Sequence, residues 1–177
     1  MIALVDRVLK NSFIYSIGNI SNKLVGFILL PMFTSHFSVR EYGILSLTEI
    51  TSQLLIALFG LGLSTAFERW YYETNSDETR KKLFFTVLIT SFFLIVMMLI
   101  VVNLFSTQLS IILFDDSKYR YLLNLIAITS ALEILSLLTF SLMRIKEKAL
   151  LLSSATVFKT LINLLTTIYF IVYLGKG

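Results

Sequence analysis

The sequence holds no cysteine, one proline, one tryptophan and one histidine in 177 residues. Without cysteine there is no disulfide framework, no thiolate metal site and no thiol nucleophile. His36 has no HExxH neighbour with which to hold a metal. No glycine-rich phosphate loop or nucleophile elbow occurs, and Gly60-Leu61-Gly62 is too short to mean more than helix packing. The expectation is therefore a protein with no catalytic residues, no metal and no cofactor, and not an enzyme. Charge is scarce as well. Charged residues make up 15% of the chain and hydrophobic ones 56%, whereas soluble domains carry about 25% charged residues. That balance leaves an integral membrane protein.

The net charge of +4 could suggest a nucleic-acid partner, but the placement of the basic residues excludes one. They fall in short loops between apolar runs, as orientation signals do. The apolar runs predict an all-α, polytopic transmembrane bundle with spans over about 11–37, 42–67, 83–105, 119–143 and 150–173. The chain stops where a sixth span would begin, so a single lobe truncated before that span is expected. Arg7, Lys10, Arg69, Arg80, Lys81, Lys82, Arg144, Lys146 and Lys148 lie on one side of this topology. Arg40, Lys118, Arg120 and Lys176 lie on the other. The excess of positive charge predicts a cytoplasmic N-terminus in the cell inner membrane. A cleaved signal peptide is not expected, because Asn19, Asn22 and Lys23 interrupt the first apolar run.

What the spans contain is less uniform. The first is about 27 residues long, roughly 40 Å as a helix, and can cross a ~30 Å hydrocarbon core. Its Tyr15, Ser16, Asn19, Asn22, Lys23 and Gly26 recur every three or four residues and form one polar stripe. Residues 1–10 suit a short amphipathic helix at the interface before it. Ser38 and Glu41 fit a capping box that starts the second helix near Val39. Span two gathers Ser46, Glu49, Ser52 and Gln53 on one face, with Gly60, Gly62 and Ser64 suited to close packing. Trp70, Tyr71 and Tyr72 follow as an interfacial belt. Span three contains FFLIVMMLIVV (residues 92–102), shows no polar face, and is expected at the lipid-facing periphery. Asp115 and Asp116 fit a solvated loop better than a cation site. Span four carries Thr129, Glu133 and Ser136 on one face; span five aligns Thr156, Lys159, Thr160, Asn163 and Thr167.

Four charges thus lie within spans: Lys23, Glu49, Glu133 and Lys159. Lone charges at mid-membrane are expensive, so each is a functional candidate and needs a partner or a hydrated cavity. Two readings stand side by side. The polar stripes line a cavity for a charged or sugar-rich substrate, or Lys–Glu pairs lock helix packing. The expected substrate-cavity residues are Asn19, Asn22, Lys23, Glu49, Gln53, Arg69, Glu133, Lys159 and Asn163.

The segment KNSFIYSIGNISNKLVGFILLPMFTSHFSVREYGILSL resembles the opening of Wzx-type oligosaccharide and lipopolysaccharide flippases, of the multidrug/oligosaccharidyl-lipid/polysaccharide exporter superfamily. The resemblance rests on the polar first span with Lys23 and Gly26-Phe27, on Pro31, and on the turn Phe37-Ser38-x-x-Glu41-Tyr42-Gly43. The run from Gly60 to Arg69 with Tyr71-Tyr72 is also similar. It covers about residues 9–72; beyond that, only hydropathy and loop charge agree. It implies two six-helix lobes around a central cavity and movement of a polyprenyl-diphosphate-linked oligosaccharide by alternating access. Implied partners are the lipid bilayer, that lipid-linked oligosaccharide, a missing C-terminal lobe and glycan-assembly proteins. Such transporters have about twelve to fourteen spans, so five spans correspond to most of one N-terminal lobe. A diphosphate also wants excess cation, while Lys23 and Lys159 here balance Glu49 and Glu133; Arg69 or the missing half would have to supply it. Three other functions compete with this reading. A cation-coupled drug exporter of the same superfamily wants an acid on span one, where this chain has Lys23. A membrane glycan polymerase or ligase wants a large outer loop, and a non-transporting scaffold is favoured by length alone.

Overall fold

The computed structural model describes Ser16, Ile20 and residues 23–173. Helix α1 runs Lys23–His36, and α2 Val39–Gly60, α3 Leu63–Glu73 and α4 Asp77–Phe114 follow. A 3-10 turn over Ser117–Tyr119 leads into α5 Arg120–Ile145 and α6 Ala149–Ile168, which passes into a π turn over Tyr169–Tyr173. No strand occurs among the described residues, so the fold is all-α. Helices α2, α4, α5 (with the turn before it) and α6 (to Ile171) are each long and apolar enough to cross a membrane.

Local chemistry accounts for the helix ends. The Ser38 backbone N–H donates to Glu41 Oε2 at 2.7 Å, and the Glu41 N–H donates to Ser38 Oγ at 3.3 Å. This is the reciprocal capping box read from the sequence, and α2 begins at Val39. The segment read as one span over 42–67 is divided. Leu61 and Gly62 take positive φ angles of 46° and 63°, so α2 ends and α3 begins anew. Glycine tolerates that conformation; leucine at the same φ costs about 1 kcal/mol. Helix α4 ends on Asp115, also left-handed, whose N–H donates to the Ile111 carbonyl. Asp116 holds the next turn by accepting from Lys118 N at 3.0 Å and pairing with Lys118 Nζ at 3.1 Å. Helix α5 ends in a Schellman motif: Glu147 N–H donates to the Arg144 carbonyl, Lys148 N–H to that of Met143, and Glu147 sits at φ 52°.

The chain divides into two compact units. One comprises residues 43–142: most of α2, all of α3 and α4, and most of α5. Its core is built by Ile95, Met98, Val102 and Phe114 of α4 with Leu123, Ile126, Ala127, Ala131 and Ile134 of α5. Ile44, Leu47, Leu55, Ile56 and Phe59 of α2 pack against them. The expectation that span three lies wholly at the periphery is corrected here. On α4, Val87, Ser91, Ile95, Met98, Val102, Ser106, Ser110 and Phe114 are buried, one per turn along a single face. The reason is the three serines. They are small enough to let neighbouring backbones come close, which is what selects packing faces where lipid is as apolar as leucine.

The other unit comprises residues 1–42 and 143–177. Within it α1 buries Leu29 and α6 buries Ala149, Leu152, Ser153 and Thr160. Pro31 sits inside α1 and withholds an N–H from the ladder. Thr34 Oγ1 donates to the carbonyls of Leu30 and Pro31, a local polar contact beside that interruption.

Candidate functional site

Two serine contacts fix the register of the 43–142 unit. Ser52 Oγ of α2 meets Ser130 Oγ of α5 at 2.9 Å, and Ser141 Oγ of α5 donates to the Ser64 carbonyl of α3 at 3.1 Å. From Ser52 to Ser64 and from Ser130 to Ser141 the chain advances in the same sense by nearly the same length. The α2–α3 segment and α5 therefore run parallel. Glu49 lies one turn before Ser52, and Glu133 one turn after Ser130. The two carboxylates thus flank the serine contact, about 9 Å apart along the helix axes. Gln53 is next to Ser52 on the same stretch. Glu49 and Gln53 are exposed and Glu133 is half-buried. One short length of the α2–α5 seam therefore collects three of the expected cavity residues, all carboxylate or amide.

Arg69 is not in that group. It lies on α3, exposed, with Nε donating to Glu73 Oε1 at 3.1 Å one turn on. A pair that open to its surroundings contributes little to stability.

The remaining candidates belong to the other unit. Lys23 is exposed at the start of α1. Lys159 and Asn163 lie one turn apart on α6, both exposed, and Asn163 Oδ1 accepts from Thr167 Oγ1 at 3.4 Å. Asn19 and Asn22 lie outside the described residues. The in-span carboxylates thus fall in one unit and the in-span lysines in the other. His36 Nδ1 is within hydrogen-bond distance of Ser35 Oγ and the Met32 carbonyl, a local arrangement at the end of α1.

Sequence reasoning missed two features of the 43–142 unit. One is the row of buried serines, Ser91, Ser106 and Ser110 on α4 with Ser130 and Ser141 on α5; their spacing at whole helical turns was the available signal. The other is a cavity of about 210 Å³ beside the α2–α3 break. Ile56, Leu63, Ser64, Ser91, Ile134 and Leu138 are among the residues that line it, and none of the lining residues is charged. It is apolar and separate in character from the Glu49–Gln53–Glu133 stretch.

An all-α fold with four membrane-length apolar helices defines a multi-pass membrane protein that lives in a lipid bilayer. The chain belongs to the polysaccharide biosynthesis protein family, which matches residues 8–176. It is also similar to protein 1 of the Lsg locus of Haemophilus influenzae, 36% identical over 66 residues, or 37% of this chain. The matched stretch spans only 16% of that relative. No solved structure matches the chain.

Proposed function

We propose that this chain forms a membrane lobe of a flippase that carries a polyprenyl-diphosphate-linked oligosaccharide across the cell inner membrane for surface polysaccharide synthesis. Membership of the polysaccharide biosynthesis family over nearly the whole chain is the observation that carries this reading. The bundle adds a physical reason. Helices that cross lipid while carrying Glu49, Gln53 and Glu133 on one seam, and Lys159 with Asn163 on another helix, need a hydrated or protein-lined space beside them. Amides and hydroxyls there suit a sugar chain. Lys23, Lys159 and Arg69 are the cations available for a diphosphate. The chain binds and moves its substrate without covalent chemistry, by alternating access of a polar cavity, with the N-terminus cytoplasmic. A cation-coupled drug exporter is less favoured, since the first span carries Lys23 where that reading wants an acid.

The test is export in cells lacking the chromosomal gene, complemented with the complete reading frame. Lys159→Ala and Glu133→Gln should each lower surface glycan by at least about tenfold, equivalent to 1.4 kcal/mol of transport barrier, with lipid-linked glycan accumulating inside. Normal glycan export with both substitutions in one chain, at wild-type protein levels, would reject the cavity role of these residues. Accumulation of lipid-linked glycan is what separates a flippase from a drug exporter or a scaffold.

A further inference from the structure

Helix α4 packs on the side of the α2–α5 seam that the candidate cavity residues avoid. From α2, Ile44, Leu47, Leu55, Ile56 and Phe59 meet the core that α4 shares with α5. At about 100° per residue, Glu49 and Gln53 on α2 and Glu133 on α5 each lie roughly 100° or more around their helices from that contact. Within the 43–142 unit, the outer face of α4 is therefore remote from the polar seam.

That outer face is not wholly apolar. Asn103 and Thr107 lie one turn apart on it, both exposed. Neither side chain makes a hydrogen bond among the described residues, although the Asn103 backbone carbonyl accepts from Ser106 Oγ. Thr86 and Thr129, by contrast, return their hydroxyls to a carbonyl one turn back. Asn103 also lies about 7 Å from the middle of the charge-free run 83–114, which puts it deep in the hydrocarbon. An amide at that depth finds no water, and another helix is what satisfies it.

Spacing identifies the helix. Ile89, Phe93, Val96, Ile100, Asn103 and Thr107 follow one another in alternating steps of four and three residues. All six are exposed, and they centre opposite the buried face of α4. A 3.5-residue repeat is the pattern by which two parallel helices cross at a shallow left-handed angle, and one asparagine within it fixes register. The run carries no charge, so its partner must offer a neutral amide or hydroxyl at the same depth. A second copy does this by symmetry. It inserts with the same topology, and a two-fold axis along the membrane normal sets each seam residue against itself. Asparagine carries donor and acceptor together, so each Asn103 can give one bond and take one.

We infer that α4 is a self-association face: two copies of the chain cross in parallel along Ile89, Phe93, Val96, Ile100, Asn103 and Thr107, with the two Asn103 amides bonded to each other. The contact joins folded chains, so it adds nothing to the stability of one chain dispersed alone in a micelle. It is also independent of the transport reading.

The chain has no cysteine of its own, so disulfide cross-linking of single-cysteine variants tests this. The full chain is placed in phosphatidylethanolamine and phosphatidylglycerol vesicles and oxidised with copper phenanthroline. Val96→Cys and Ile100→Cys are expected to give a linked dimer that persists as lipid is added. Phe105→Cys and Ile112→Cys, also exposed but off the seam, should link only when chains are crowded. In the Ile100→Cys chain, Asn103→Leu should lower the linked fraction about tenfold, while Asn103→Gln, which keeps an amide, should retain most of it. Leucine at an exposed position among apolar neighbours leaves insertion intact. Seam linking no greater than at Phe105 and Ile112, as chance collision or a different partner would give, overturns the proposal. So does a dimer that Asn103→Leu leaves unchanged.

Discussion

Helices α2 and α4 are both membrane-length and apolar, yet they are used in opposite ways. Helix α4 buries a residue at nearly every turn from Val87 to Phe114, whereas α2, which carries Glu49, Ser52 and Gln53, has no fully buried residue. In a water-soluble protein the greasier helix would be the inner one because water repels it. That argument does not operate within a bilayer, where lipid accepts an apolar face as readily as protein does. What distinguishes α4 is packed small residues: Ser91, Ser106 and Ser110 lie buried on a face that neighbours approach closely, whereas no small residue of α2 is fully buried. The hydropathy of a membrane helix reports that it crosses; its small residues report where it packs.

The sharpest way to break this comparison is to enlarge a serine on the packed face. Ser110 is fully buried, and its hydroxyl donates to the Asp116 carbonyl at the end of α4. Ser110→Leu inserts volume where none is free and removes that bond, so it should destabilise the folded state by about 3 kcal/mol. Leu58→Ala on the exposed side of α2 should change stability by less than about 0.5 kcal/mol. Both are read from reversible unfolding in mixed detergent micelles. Equal losses for the two would mean that small-residue packing does not distinguish these helices.

A milder test stays within α4. Met98 is 0% exposed in the core, while Phe93 is 66% exposed on the other side of the helix. Met98→Ala should cost about 2 kcal/mol through lost contacts and a cavity, and Phe93→Ala should cost little. A chain in which the whole run over residues 92–102 tolerates substitution evenly would restore the peripheral placement expected from hydropathy.

Much of this fold could be read from the sequence, for reasons that are local. Span-length apolar runs with few charges leave only helices, because backbone groups in lipid must be satisfied within the segment. The Ser38–Glu41 box is likewise a short-range signal, and it marks the start of α2. The break at Leu61 was not legible, since leucine rarely takes a left-handed angle and only Gly62 hinted at one. The buried face of α4 escaped because serine scores as neutral in hydropathy, although 91, 106 and 110 are separated by whole turns. At the candidate site, periodicity placed Glu49 with Gln53 and Lys159 with Asn163 on common helix faces. Periodicity within one helix cannot tell which helices pair, and so the serine contact that ties α2 to α5 and groups Glu49 with Glu133 emerged only from the structure.

That contact gives the smallest and most specific test of the seam. Ser52 and Ser130 meet at 2.9 Å, with Ser130 fully buried and Ser52 half-buried. Either hydroxyl can donate, and alanine removes the bond without adding bulk. Hydrogen bonds between membrane helices contribute about 0.6 kcal/mol on average, so Ser52→Ala and Ser130→Ala should each lose roughly that much. If the two hydroxyls serve mainly each other, the double substitution should lose no more than the worse single one, because the second alanine has no bond left to remove. Additive losses would show that each serine acts through separate neighbours and that the contact does not set the register. Register also has a functional readout. A seam that slips would separate Glu49 from Glu133, so export in the doubly substituted chain should fall further than its small loss of stability explains. Unchanged export with a non-additive cycle would keep the structural contact and detach it from the proposed cavity.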